Sequence, residues 1–133
     1  MLRVLIEHGI VPDAVVAVSA GALNGSFLAA GPTVERARRL EEVWRDVADR
    51  RPIRGSVVRN VAAIVRGRPS FDTGDRLRAL IADHVQMEDL SQAAVPCHVG
   101  TTDASTGEVT WWPAGPLVDL LCATTAVPGV LPA

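Results

Sequence analysis

Ser19 is the residue whose neighbours most clearly set it up for chemistry. It closes Ala14-Val-Val-Ala-Val18, an apolar run rich in β-branched residues, and precedes Ala20-Gly-Ala-Leu-Asn-Gly-Ser-Phe-Leu-Ala-Ala30. The run suits a strand buried on both faces. The segment after it reads as a helix whose first turn is made of small residues and can press closely on a sheet. A serine at such a strand-to-helix turn has its hydroxyl pointing off the sheet, beside the free N–H groups and the positive dipole end of the helix. Acyl transfer needs that pair of features, an exposed nucleophile and donors for a developing oxyanion. The spacing matches the nucleophile elbow Gly-x-Ser-x-Gly with one departure, since Gly21 fills the second glycine place and Ala17 stands in the first. Ser19 is thus the candidate nucleophile, with Ala17, Ala20 and Gly21 the elbow and oxyanion positions. The same string also fits a serine that merely caps a tightly packed helix.

A serine nucleophile needs a base. A Ser, then Asp, then His order requires a late histidine, and none follows His98. His98 falls within a predicted buried strand, where the expectation is a structurally satisfied ring. His84, near a helix C-terminus, suits the dipole there. A Ser-His-Asp triad is not supported.

The elements that must position Ser19 follow from periodicity. Residues 1–8 read as the end of a helix with Leu2, Leu5 and Ile6 in a stripe and Gly9 as its stop. Thr33 is an N-cap for a helix to about residue 49 that carries Val34, Ala37, Leu40, Val43, Trp44, Val47 and Ala48 at helical spacing. Further helices are expected over 56–67 and 74–85, the latter with Leu77, Leu80 and Ile81 inward and with Asp72 and Asp75 as capping or first-turn acids. Residues 95–102 form a second buried strand, 103–107 a turn and 108–112 a returning strand on which Trp111 and Trp112 point to opposite faces. Gly115-Pro116 opens a last helix, over 117–126.

With 133 residues the chain is expected to be a single domain, and 48% apolar content excludes a disordered one. No apolar run nears the ~20 residues of a membrane span and no signal-peptide plan opens the sequence, so a cytoplasmic protein is expected. All 13 basic residues are arginines. Those up to Arg45 are interleaved with acids and read as a solvated helix face. From Arg50 to Arg68 no acid intervenes, which suits either an ordinary solvated face, the reading scattered surface charge favours, or peripheral contact with anionic head groups or phosphates. A net charge of −2 and a basic stretch without aromatics argue against nucleic acid as a partner. Cys97 and Cys122 read as buried free thiols, no Cys/His spacing resembles a zinc site, and no cofactor is expected.

Four blocks carry a family resemblance. Residues 12–25 resemble the nucleophile segment of patatin-like phospholipases. Phe71-Asp-Thr-Gly-Asp-Arg-Leu77 is similar to a helix-opening segment of bacterial members, Thr101-Thr-Asp-Ala-Ser-Thr-Gly107 to their strand-turn segment, and Ala123-Thr-Thr-Ala-Val-Pro-Gly-Val-Leu-Pro132 to the run ahead of their catalytic acid. The resemblance implies an α/β fold with a mostly parallel central sheet flanked by helices. It also implies a serine lipid-acyl hydrolase using a Ser-Asp dyad, with Ser19 as nucleophile, Gly21 as elbow glycine and a lipid or small acyl ester as substrate. The family's Gly-rich oxyanion loop precedes the region that here begins at Met1, and its Asp-Gly motif follows the region that ends at Ala133. The expectation is therefore a single partial domain over 1–133, lacking the first strand and the C-terminal part. Such a domain has little turnover and self-associates through an exposed sheet edge. The alternative is a degenerate, non-catalytic binding module.

Overall fold

The computed structural model describes residues 1–49, 71–85 and 87–126. The helix expected over 56–67, the acid-free arginine stretch and the run at 127–132 lie outside the described residues. So do the side chains of Asp72 and Asp75.

Five helices and three strands are described: α1 (Leu2–Glu7), β1 (Val15–Ala17), α2 (Ser19–Ala29), α3 (Val34–Asp49), α4 (Phe71–His84), β2 (Cys97–Thr102), β3 (Val109–Trp112) and α5 (Leu117–Thr125), with a 3₁₀ turn at Leu90–Gln92. β1 pairs parallel with β2, Val15 opposite Cys97 and Ala17 opposite Val99. β2 pairs antiparallel with β3, Val99 opposite Trp112 and Gly100 opposite Trp111. The sheet is thus mixed, in the order β1-β2-β3, and with its flanking helices it makes an α/β fold.

Strand alternation gives this sheet two unlike faces. Val15, Ala17, Cys97 and Val99 point toward α2 and α5 and join Ala22, Ala29, Leu90, Leu117 and Leu121 in the main core. Each leucine fully buried there contributes roughly 1.5–3 kcal/mol. A second cluster of Phe27, Leu28, Ala37 and Leu40 joins α2 to α3. The opposite face carries Val16, Val18 and Trp111, which are 64%, 51% and 48% exposed. β1 is therefore not buried on both faces, contrary to the expectation from its composition. Among the described residues it is an edge strand, and helices cover only one side of it. Trp112, on the helix-covered face, is also exposed, so neither tryptophan belongs to the core; its Nε1 donates to Thr101 Oγ1 at 2.8 Å.

Helix ends follow local chemistry. Gly9, at φ +73°, takes the left-handed conformation that ends α1. Thr33 Oγ1 accepts from the Arg36 N–H at 3.2 Å and starts α3. α4 begins at Phe71 rather than residue 74, so the segment expected to lead into it is its first turn. Between β2 and β3, Asp103 accepts bonds from the Ser105 hydroxyl and the N–H groups of Ser105 and Thr106, and Gly107 completes the turn at φ +76°. No described helix is long and apolar enough to cross a membrane.

Candidate active site

The turn out of β1 is sharp. Val18 is extended at φ −131° and ψ 156°, and Ser19 turns to φ +52°, the one positive φ among the described non-glycine residues. That conformation costs an L-residue about 1–2 kcal/mol, so the surrounding contacts must hold it in place. α2 starts at Ser19 itself, one residue earlier than periodicity suggested. Its first helical hydrogen bond runs from the Ala22 N–H to the Val18 carbonyl at 3.1 Å. The N–H groups of Ser19, Ala20 and Gly21 are left over. Ser19 donates its own to Thr124 Oγ1 at 2.9 Å, while those of Ala20 and Gly21 have no acceptor among the described residues. Ser19, Ala20 and Gly21 are all exposed, so two oriented donors stand free at the positive end of the helix.

The departure at Ala17 has a local explanation. A methyl built on Gly21 would lie 3.8 Å from Ala17 Cβ, and one built on Gly25 would lie 3.6 Å from it. Two glycines on the facing turns of α2 thus leave room for the methyl that Ala17 adds. Of the two, Gly25 is the constrained one, because its methyl would sit 2.7 Å from Val15 Cγ1. The elbow pattern singles out Gly21; the close crossing of α2 over β1 depends on Gly25.

Two clamps hold the turn. Thr124 Oγ1, having accepted from Ser19, donates to the Gly100 carbonyl at 2.6 Å and so joins α5, the elbow and β2. Asn24 Nδ2 donates to the Ala20 carbonyl at 2.9 Å, and Asn24 Oδ1 accepts from Trp44 Nε1 at 2.6 Å. Trp44, expected on the inward stripe of α3, is 40% exposed and ties α3 to the first turn of α2. Its helical spacing could not separate that role from core packing.

A family model of patatin-like phospholipases matches residues 1–133. The chain belongs to the patatin-like phospholipase family. That family is one of lipid hydrolases, and lipids are the substrates on which it acts.

Among the described residues no carboxylate and no imidazole is hydrogen-bonded to the Ser19 hydroxyl. Asp103 is engaged within its own turn, where the Ser105 hydroxyl, then the Ser105 and Thr106 N–H groups, hold its pKa below the ordinary carboxylate value. Its bonds make it a turn former. His98 was expected as a satisfied strand histidine, but its Nδ1 is buried with no partner among the described residues. In register it pairs with Val16, whose side chain offers no polar group. Both cysteines are free, and burial pushes their thiols above the usual value, so neither favours a thiolate.

Proposed function

We propose that this chain carries the nucleophile of a serine lipid-acyl hydrolase, with Ser19 as the residue that accepts the acyl group. The observation that carries the proposal is the strained turn of Ser19, φ +52°, directly ahead of the N–H groups of Ala20 and Gly21, which have no acceptor among the described residues. In the reaction Ser19 Oγ bonds to the ester carbonyl carbon while its proton passes to a base. The carbonyl oxygen takes the electron pair as an oxyanion facing Ala20 and Gly21. Collapse expels the alcohol, which leaves with a proton, and water then releases the fatty acid from the serine ester.

The base in this proposal is an aspartate, as the family resemblance implies, acting directly on the serine. None of the described carboxylates is bonded to Ser19, and removing a triad partner from a serine hydrolase typically costs several orders of magnitude in rate. Low turnover by the 133-residue chain is part of the proposal.

Labelling with a fluorophosphonate tests both parts. The expected result is slow addition of one label, absent in Ser19→Ala, with hydrolysis of a short nitrophenyl ester close to background. An unlabelled chain, or a Ser19→Ala variant that labels as well as the parent, overturns the nucleophile assignment. Rapid labelling with ester turnover that disappears in Ser19→Ala overturns the low-turnover part alone.

A further inference from the structure

We infer that Thr124 is a positioning residue for Ser19, acting as a hydroxyl inserted into a rung of the β1–β2 ladder. The inference rests on the nucleophile assignment for its catalytic consequence and on backbone geometry for the rest.

In a parallel pair, rungs recur every two residues along each strand. The Val15 N–H donates to the Pro96 carbonyl at 2.8 Å. Continued by two steps of two, the ladder would bring the Ser19 N–H to the Gly100 carbonyl. Those are the two groups that Thr124 Oγ1 joins instead, accepting from the first at 2.9 Å and donating to the second at 2.6 Å. One hydroxyl thus satisfies both halves of a rung while holding them apart. The end of β1 is lifted from β2 at the position where the chain turns to φ +52°, and Ser19 enters α2 instead of continuing the strand.

Other residues bear out how closely that space is defined. Gly100 is buried, and a methyl on it would lie 2.8 Å from both Val18 Cγ1 and Trp111 Cζ3, so β2 runs tight beneath the residue ahead of Ser19. Among the described residues the neighbouring Thr125 hydroxyl bonds only to the Leu121 and Cys122 carbonyls of its own helix. Of two adjacent threonines, one completes a helix end and the other reaches across to the elbow. With valine at 124 the side chain still stands between the two strands but offers no hydroxyl, so Ser19 N–H and Gly100 C=O are left unpaired. The turn loses its anchor on α5, and Ser19 Oγ shifts relative to the donors on Ala20 and Gly21.

Two readouts test this. The first needs no reactivity: in amide hydrogen exchange by nuclear magnetic resonance, the Ser19 N–H is expected to exchange more slowly than those of Ala20 and Gly21. That protection should be lost in Thr124→Val and kept in Thr124→Ser. The second is the rate of fluorophosphonate addition to Ser19. Displacement of a reacting group by about 1 Å can cost on the order of a hundredfold, so Thr124→Val is expected to slow labelling by about tenfold to a hundredfold. Thr124→Ser and Thr125→Val should stay near the parent rate, although Thr125→Val loses stability. A Ser19 amide as exposed to exchange as that of Ala20 in the parent protein overturns the inference without any variant having to fold. Unchanged Ser19 protection or labelling in folded Thr124→Val does so as well. If the parent is never labelled at Ser19, the nucleophile assignment fails while the exchange measurement still decides the role of Thr124.

Discussion

Gly25→Ala is the substitution that most sharply probes how α2 is seated on the sheet. The new Cβ would stand 2.7 Å from Val15 Cγ1 and 3.6 Å from Ala17 Cβ. Carbon atoms settle about 3.5–4.0 Å apart, so the first contact is too close by roughly 1 Å. Val15 has little freedom to yield, because it is β-branched and sits in a strand opposite Cys97. Overpacking of this kind costs about 1–3 kcal/mol, against which replacing glycine by alanine inside a helix recovers about 1 kcal/mol. The net expectation is a loss near 1 kcal/mol. Gly21→Ala provides the internal comparison, since its Cβ meets only Ala17 Cβ at an ordinary 3.8 Å. It should be neutral or slightly stabilising. The gap between the two variants should be about 1–2 kcal/mol, or roughly 4–8 °C in melting temperature for a chain of this size. Thermal unfolding followed by circular dichroism measures it. A double-mutant cycle with Val15→Ala identifies the contact, because Gly25→Ala should cost little once Cγ1 is gone. Equal melting temperatures for the two glycine variants, or a cost at Gly25 that persists in the Val15→Ala background, would refute the close crossing and with it the account of why Ala17 is tolerated.

Three other expectations concern the elbow and its supports. Ser19→Gly should stabilise the fold by about 0.5–1 kcal/mol, because relief of a left-handed serine outweighs the chain entropy of glycine; a lower melting temperature would argue against strain at this turn. Gly100→Ala should be destabilising by about 1–3 kcal/mol, since Val18 and Trp111 both lie within 2.8 Å of the added methyl, and Trp111→Ala should recover part of that loss in the same denaturation assay. Asp89 and Asp103 both contribute pH dependence, and the test uses Asp89. The Ser91 hydroxyl, then the Ser91 and Gly115 N–H groups, lower its pKa, so folding favours the carboxylate. Its contribution is present above the unfolded value of about 4 and is lost as pH falls through the lower folded value. The melting temperature of the parent should exceed that of Asp89→Asn at pH 7, and the gap should narrow progressively as the pH is lowered below about 4. A gap that stays constant throughout acidification would show that the carboxylate charge is not responsible.

Much of the fold could be read from local signals, and the remainder depended on partners distant in the chain. β-branched residues and small helical residues on either side of Ser19 fixed the strand, the turn and the helix, because each is a property of adjacent positions. Whether β1 was buried on one face or two could not be read from Val15, Val16 and Ala17, since an apolar run looks the same in an edge strand whose outer face carries an exposed Val16. The start of α4 at Phe71 was obscured by Phe71-Asp-Thr-Gly, which resembles a lead-in segment as much as a first helical turn. At the site, the elbow pattern pointed to Ser19 and Gly21 but had no means to rank Gly25, because the constraint comes from the Val15 side chain across the crossing. Thr124 was visible only as one letter of a block similar to a family segment. Its bond to Ser19 spans 105 positions, and no local periodicity encodes such a contact. His98 shows the converse failure: a strand histidine was assumed to find a partner, yet the register places it beside Val16.

The central claim, that Ser19 is an acyl acceptor whose oxyanion would face the start of α2, is tested most directly by a crystal structure of the chain after reaction with a fluorophosphonate. The account predicts phosphorus bonded to Ser19 Oγ, Ser19 retaining a positive φ, and a phosphoryl oxygen within about 3.1 Å of the Ala20 or Gly21 nitrogen. An adduct on a different side chain, or one on Ser19 with its oxygens turned away from both N–H groups, would contradict it.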